Sequence, residues 1–194
     1  MPYVLIALAF MALIGGARRG ASSTVRGPVV RRVLLIGDSL ADGLKTPLSF
    51  LATASRVSLD SQVKDGTTIP YWATMASLQR LVDSTQPTHV LVSLGTNDEK
   101  AGILARDMLA IDQLLQVLRS RGAVVAWIGP PKLPFPRSGV SDLARTRSDR
   151  YFDSEALAIP RASDGMGGNG LRGLHPTGAG YSFWADEIWK WLLA

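Results

Sequence analysis

"RRVLLIGDSLADGL", residues 31–44, runs without a break from an apolar segment into a polar turn and on into a helical pattern. Val33 to Ile36 is continuously apolar and ends in Gly37, the signature of a strand buried on both faces, as in parallel sheets. Leu40 to Ala54 then has helical character, so the unit reads strand, turn, helix. The same alternation continues outward. "THVLVSL", 88–94, and "AVVAWIG", 123–129, are two further buried strands, and a weaker one is expected around Arg56 to Leu59. Residues 70–84 place Tyr71, Met75, Leu78 and Val82 on one helical face; residues 101–120 do the same with Leu104, Met108, Ile111, Leu115 and Leu118. Tyr181, Trp184, Ile188 and Trp191 share a face of a last helix. Strands alternating with helices of this length imply right-handed βαβ crossovers, hence an α/β fold with a parallel sheet covered on both faces.

Three polar sequences punctuate this pattern. "GDSL", 37–40, and "GTND", 95–98, end the two strongest strands, and "LHPTGAGY", 174–181, precedes the final helix. A doubly wound sheet brings its strand ends to one edge, so Ser39, Asn97 and His175 can converge although far apart in the chain. Together they are what acyl transfer needs: Ser39 as nucleophile, His175 as general base, and Asn97 as a side-chain N–H donor to the oxyanion. Ser39 also falls where a strand turns into a helix, and a helix N-terminus favours developing negative charge. Each residue has a plainer role available. Asp38 and Ser39 are helix-capping types, "GTND" is an acceptable turn, and a histidine before proline is commonly a surface residue. Taken together, with the other histidine, His89, at the start of a strand, coincidence is the weaker explanation for the set.

These blocks resemble the SGNH, or GDSL, family of serine esterases and lipases. "LLIGDSLADGL", 34–44, is similar to the family's first block, with Ser39 as nucleophile; "KDGTTI", 64–69, is similar to the second and points to Gly66. "SLGTND" resembles the third block, giving Asn97, and "GLHPTGAGY" the fifth, giving His175. The resemblance spans residues 33–192 in order. It implies a flavodoxin-like three-layer α/β/α fold, an oxyanion hole made of Ser39, Gly66 and Asn97, and ester hydrolysis without metal or organic cofactor. It leaves the substrate open among lipids, thioesters and acetylated sugars.

One position departs from that pattern. The family usually carries an aspartate three residues before the histidine, to accept the Nδ1 hydrogen. Here it is Arg172, which has no acceptor and disfavours a charged imidazole. Three explanations compete. The unit is a Ser-His dyad; or Asp164 supplies the carboxylate across an inserted "MGGNGLRG", whose four glycines permit looping out; or the chain is an inactive relative. The last is disfavoured by the presence of Ser39, Gly66, Asn97 and His175.

The 194 residues, 46% of them hydrophobic and 19% charged, suit one domain, expected over 31–194. Lys and Arg number 21 against 16 Asp and Glu, a net charge of +5, but the basic residues are spread rather than clustered with aromatics. That argues against nucleic acid and for mild attraction to anionic surfaces such as membranes or cell-wall polymers. With no cysteine and two histidines, disulfides, thiolate chemistry and a histidine-rich metal site are excluded. Residues 1–19 form a separate piece: Tyr3 to Ile14 is unbroken apolar sequence, followed by Gly15, Gly16, Ala17, Arg18 and Arg19. It suits a signal-peptide apolar region better than a full span of about 20 residues, although no basic residue precedes it and two follow it. A buried element of the domain is the alternative. Export or membrane tethering is expected, through a linker at 20–30.

The expected activity is serine-dependent ester hydrolysis of an acyl-ester or acylated carbohydrate substrate, with small O-acetyl groups on an envelope carbohydrate preferred. The alternatives are a lysophospholipase or thioesterase on longer chains, and a non-catalytic binding module that keeps the fold. "GPPKLPFPRSGV", 129–140, follows a strand end and is read as a wall of the site or a plain connecting loop. Asp98 is read as fixing its loop, Trp72 and Trp127 as structural, Trp184 and Trp191 as packing, and Trp189 as the least constrained tryptophan.

Overall fold

The computed structural model describes residues 29–102, 104–161 and 173–194. Asp164, Arg172 and the apolar segment of residues 3–14 lie outside them. Five parallel strands form one sheet in the order β2-β1-β3-β4-β5: β1 Arg32–Gly37, β2 Ser58–Val63, β3 His89–Ser93, β4 Val124–Ile128 and β5 Arg150–Phe152. This is the flavodoxin-like order, in which the winding direction reverses between β1 and β3.

The continuous apolar runs are needed because helices cover both faces. Leu34, Ile36, Val90, Val92, Val125 and Trp127 point into one core, shared with α2 Ile69–Ala73, α3 Leu78–Thr85, α5 Leu104–Leu118 and α6 Val140–Arg147. Val33, Leu35, Leu91, Ala126 and Ile128 point into the other, under α1 Ser39–Ala54 and α7 Gly178–Leu193. Successive residues of β1, β3 and β4 alternate between these cores, while the edge strand β2 leaves Ser58, Asp60, Ser61 and Gln62 exposed. The three-layer α/β/α architecture expected from the sequence is the one observed.

Several elements differ from the sequence expectation. The helix expected over 70–84 is two helices, α2 and α3, separated at residues 74–77. "GTND" is no plain turn: Gly95 caps an additional short helix, α4 Thr96–Ala101, before α5 begins. The weak strand begins and ends later than expected, at Ser58–Val63. Trp189 is buried rather than free, and its Nε1 donates to Ser55 Oγ at 2.9 Å. Trp72, Trp127 and Trp184 are fully buried as expected.

At the carboxyl edge of the sheet the chain approaches itself closely. A Cβ on Gly37 would lie 2.2 Å from the Ser93 carbonyl oxygen and 2.5 Å from Ala41 Cβ, so only glycine lets α1 start directly against the end of β3. The Asp38 amide donates to the same Ser93 carbonyl at 3.2 Å.

Candidate active site

Ser39 is the first residue of α1, and Asp38 caps that helix by accepting from the Leu40 amide at 3.0 Å. Both readings of this dipeptide therefore hold, since the cap is what presents the serine at the helix N-terminus. From the other end of the chain, Thr177 caps α7 by accepting from the Gly180 amide. The turn before it carries His175, whose Nε2 lies 2.9 Å from Ser39 Oγ. That turn is anchored from outside: the Thr177 amide donates to the Pro160 carbonyl, Arg161 bridges to Pro176, and the Arg161 guanidinium donates to the Gly173 carbonyl at 2.8 Å.

Asn97 lies in the first turn of α4. Its Nδ2 donates to the Thr67 carbonyl at 2.8 Å and to Asp38 Oδ2 at 3.2 Å, which ties the ends of β1 and β3 to the segment after β2. Gly66 is part of the Asp65-Gly66 turn in that segment, with φ +70, a left-handed conformation that favours glycine. The segment is fixed on three sides: the Lys64 amide donates to the Gly37 carbonyl, Trp72 Nε1 to Thr67 Oγ1, and the Ile69 amide to both oxygens of Asp98. Asp98 thus fixes the loop, as read from the sequence.

The structure therefore brings Ser39 and His175 into contact and sets Asn97 beside the carbonyl that follows Gly66. Asp164 is outside the described residues. His175 Nδ1 is buried and meets no hydrogen-bond partner among the described residues. Asp38 is almost wholly buried, and burial, helped by the neighbouring carboxylates Asp98 and Asp65, pushes its pKa up to about 7. Among the described residues no group of His, Asp or Glu side chains is arranged to hold a metal ion.

A cleft of about 340 Å³ opens over the pair, lined by Ser39, Asp42, Gly43, Asp65, His175, Pro176 and Tyr181. The proline-rich segment does not contribute to that lining, which corrects its reading as a wall. It is instead held by a residue that sequence reasoning missed. Glu99, buried in α4, accepts from the amides of Ser138, Gly139 and Ser141 and from Ser138 Oγ. Burial alone raises its pKa, but the donors of Ser141 and Ser138 outweigh it and hold Glu99 below the usual carboxylate range. The only sequence signal for it was an acid directly after "GTND".

With strand order, serine-histidine contact and asparagine corner in place, the chain can be set against known proteins. The sequence profile of the GDSL-like lipase/acylhydrolase family matches residues 35–183.

The chain belongs to this family.

Membership makes it an acyl-ester hydrolase, and the matched region contains Ser39, Gly66, Asn97 and His175. Comparison with curated protein sequences finds no match. Among solved structures, TesA is similar at 21% identity and a TM-score of 0.66, over 84% of this chain and 98% of that one. The psychrotrophic esterase EstA from Pseudoalteromonas sp. is similar at 21% identity and a TM-score of 0.62, with the same coverages of 84% and 98%. A family 3 carbohydrate esterase from Clostridium thermocellum is 19% identical with a TM-score of 0.57, over 86% of this chain and all of that one. At these identities the likeness concerns the fold.

Proposed function

We propose that this hydrolase acts through an acyl-enzyme on Ser39 and removes small acyl groups, O-acetyl foremost, from an envelope carbohydrate outside the cytoplasm. The observation that carries the mechanism is the 2.9 Å contact between His175 Nε2 and Ser39 Oγ at the floor of an open cleft.

As Oγ attacks the ester carbonyl carbon, His175 Nε2 takes its proton. The tetrahedral oxyanion is met by the backbone amides of Ser39 and Gly66 and by Asn97 Nδ2. Both Asn97 hydrogens are engaged in the free enzyme, so the amide exchanges its longer bond, 3.2 Å to Asp38, for the oxyanion. His175 then returns the proton to the departing alcohol oxygen. A water repeats the sequence on the acyl-Ser39 ester and releases the acid.

For the third member, Asp164 is preferred over a dyad, because a buried imidazole nitrogen without a partner is costly. Arg161 and Gly173 are bonded to each other at the base of the intervening segment. Asp164 follows Arg161 by three residues, a reach of up to about 10 Å.

The cleft's exposed carboxylates, Asp42 and Asp65, suit the hydroxyl donors of a sugar better than a long alkyl chain. The family 3 carbohydrate esterase shows that the fold carries such proteins. Export or tethering rests on the apolar run of residues 3–14.

The test is turnover of p-nitrophenyl acetate and p-nitrophenyl octanoate, labelling by a fluorophosphonate, and acetate release from an O-acetylated polysaccharide. Turnover, labelling lost in Ser39→Ala, and preference for the acetate are expected. Absence of both turnover and label would defeat the esterase reading, and octanoate preference would move it to longer acyl chains.

A further inference from the structure

The edge of the sheet opposite the active site has a chemistry of its own. The strands start there, and the register places Arg32 beside Ser58, with His89 and Val124 alongside Val33. Arg31, Arg32 and Arg56 are exposed along this edge, the Ser58 amide linking the last two segments through the Arg31 carbonyl. None of the three forms an ion pair among the described residues, and Arg32 Nε is spent only on the Gln86 carbonyl at 2.6 Å. Two acids at this edge are already neutralised, Asp83 by Arg121 and Asp149 by Arg119, and Asp60 is exposed further along β2. Between Arg32 and Arg121 lies an open cleft of about 250 Å³.

Two further features distinguish this edge. Val29 and Leu193 are exposed to 65% and 48%, one at the entry to β1 and the other at the end of α7, where Arg150 holds the Leu192 carbonyl. And the chain enters the domain here: residues 1–28, with the apolar run 3–14 and then Arg18, Arg19 and Arg26, join directly at Val29. The carboxyl edge carries charge of both signs: Asp42 is paired with Lys45, and Lys64 and Asp65 are exposed side by side.

We infer that the amino edge of the sheet, centred on Arg31, Arg32 and Arg56, docks on an anionic phospholipid surface and turns the active site away from it. Arginines facing lipid phosphates gain attraction that a free edge lacks, and exposed apolar side chains beside them can enter the headgroup boundary. The carboxyl edge has no such row of arginines without an ion pair among the described residues, so the attraction acts on the amino edge and favours one orientation. A six-residue strand spans about 20 Å, which sets the cleft that far above the lipid. Taken with the proposed esterase activity, on which this consequence rests, the substrate is met as a polymer beyond the bilayer rather than as a lipid within it.

The test is sedimentation of the full chain with phosphatidylcholine vesicles, with and without phosphatidylglycerol, at low and high salt. Binding is expected to need the anionic lipid and to weaken with salt. Arg31→Ser/Arg32→Ser/Arg56→Ser is expected to lose binding by on the order of a hundredfold. Arg80→Ser/Lys100→Ser/Lys132→Ser, equal in net charge, is expected to retain it. Arg31→Glu/Arg56→Glu leaves the Arg32 bond to Gln86 in place and serves if the triple variant folds poorly. Hydrolysis of p-nitrophenyl acetate in solution is expected unchanged in all of them, so docking and catalysis fail separately. Equal binding with and without phosphatidylglycerol overturns the inference, as does equal loss in the two triple variants. Arginine-dependent binding to a soluble cell-wall polyanion with none to vesicles overturns it too.

Discussion

Ser39 Oγ and His175 Nε2 lie 2.9 Å apart although 136 residues separate them in the chain. Two helix N-termini make this contact: α1 presents the serine in its first turn, and the turn before α7 is pinned to residues 160 and 161. Removing the imidazole base while keeping the scaffold isolates its contribution. In His175→Ala, kcat on p-nitrophenyl acetate is expected to fall by about 10³-fold or more with KM little changed, because the proton transfer is made only in the transition state. Fluorophosphonate labelling is expected to slow in parallel. Labelling at the wild-type rate would show that Ser39 is activated by another group.

The strand-turn-helix at residues 31–44 was legible because its strand is apolar on both sides and its turn is polar, and both properties are local. So were Ser39, Asn97 and His175, which follow strand ends or precede a helix. What was not legible depends on packing between distant segments. The break between α2 and α3 keeps Trp72, Leu78 and Val82 in one core, so a helical period runs across it unaltered. Trp189 lies off the apolar face of α7 but is buried because α1 and the sheet flank that helix on two sides. Strand β5 has only three residues, too few for a period to register. Glu99 is not marked by any local pattern, because its donors come from about forty residues further on.

Asp164→Asn separates a triad from a dyad. Where the carboxylate accepts from His175 Nδ1, the amide variant loses orders of magnitude in kcat, since the imidazolium is no longer stabilised. A wild-type value within about threefold would favour the dyad. Arg172→Asp is the companion experiment: it restores the usual spacing and is expected to rescue Asp164→Asn.

Asp38 should leave a signature in the pH dependence of stability. Its folded pKa is raised to about 7 from 3.8, chiefly by burial. Between those values the native state holds the proton and the unfolded chain does not, so stability from this group is greatest at low pH and is lost as pH rises through 7. The slope is at most about 1.4 kcal/mol per pH unit. Urea unfolding of wild type and Asp38→Asn at pH 5, 6 and 7, in ~1 unit steps, is expected to give a difference that shifts in favour of the variant as pH rises. A difference independent of pH would mean that Asp38 is ionised throughout.

Glu99 connects catalysis to the proline-rich segment. It sits two residues after Asn97 on the same helical turn, and its carboxylate takes the amides of Ser138, Gly139 and Ser141 while Arg137 stands 3.8 Å away. Glu99→Ala leaves those buried donors without an acceptor, a loss of about 3 kcal/mol in unfolding free energy. The same change loosens α4, whose first turn also carries Asn97, so kcat is expected to fall more than the stability of the folded fraction accounts for. Glu99→Gln keeps one carbonyl oxygen and should recover part of both quantities. If Glu99→Ala lowers the unfolding midpoint but leaves kcat of the folded enzyme unchanged, the segment is held for stability alone and Asn97 is positioned by Thr67 and Asp38 without it.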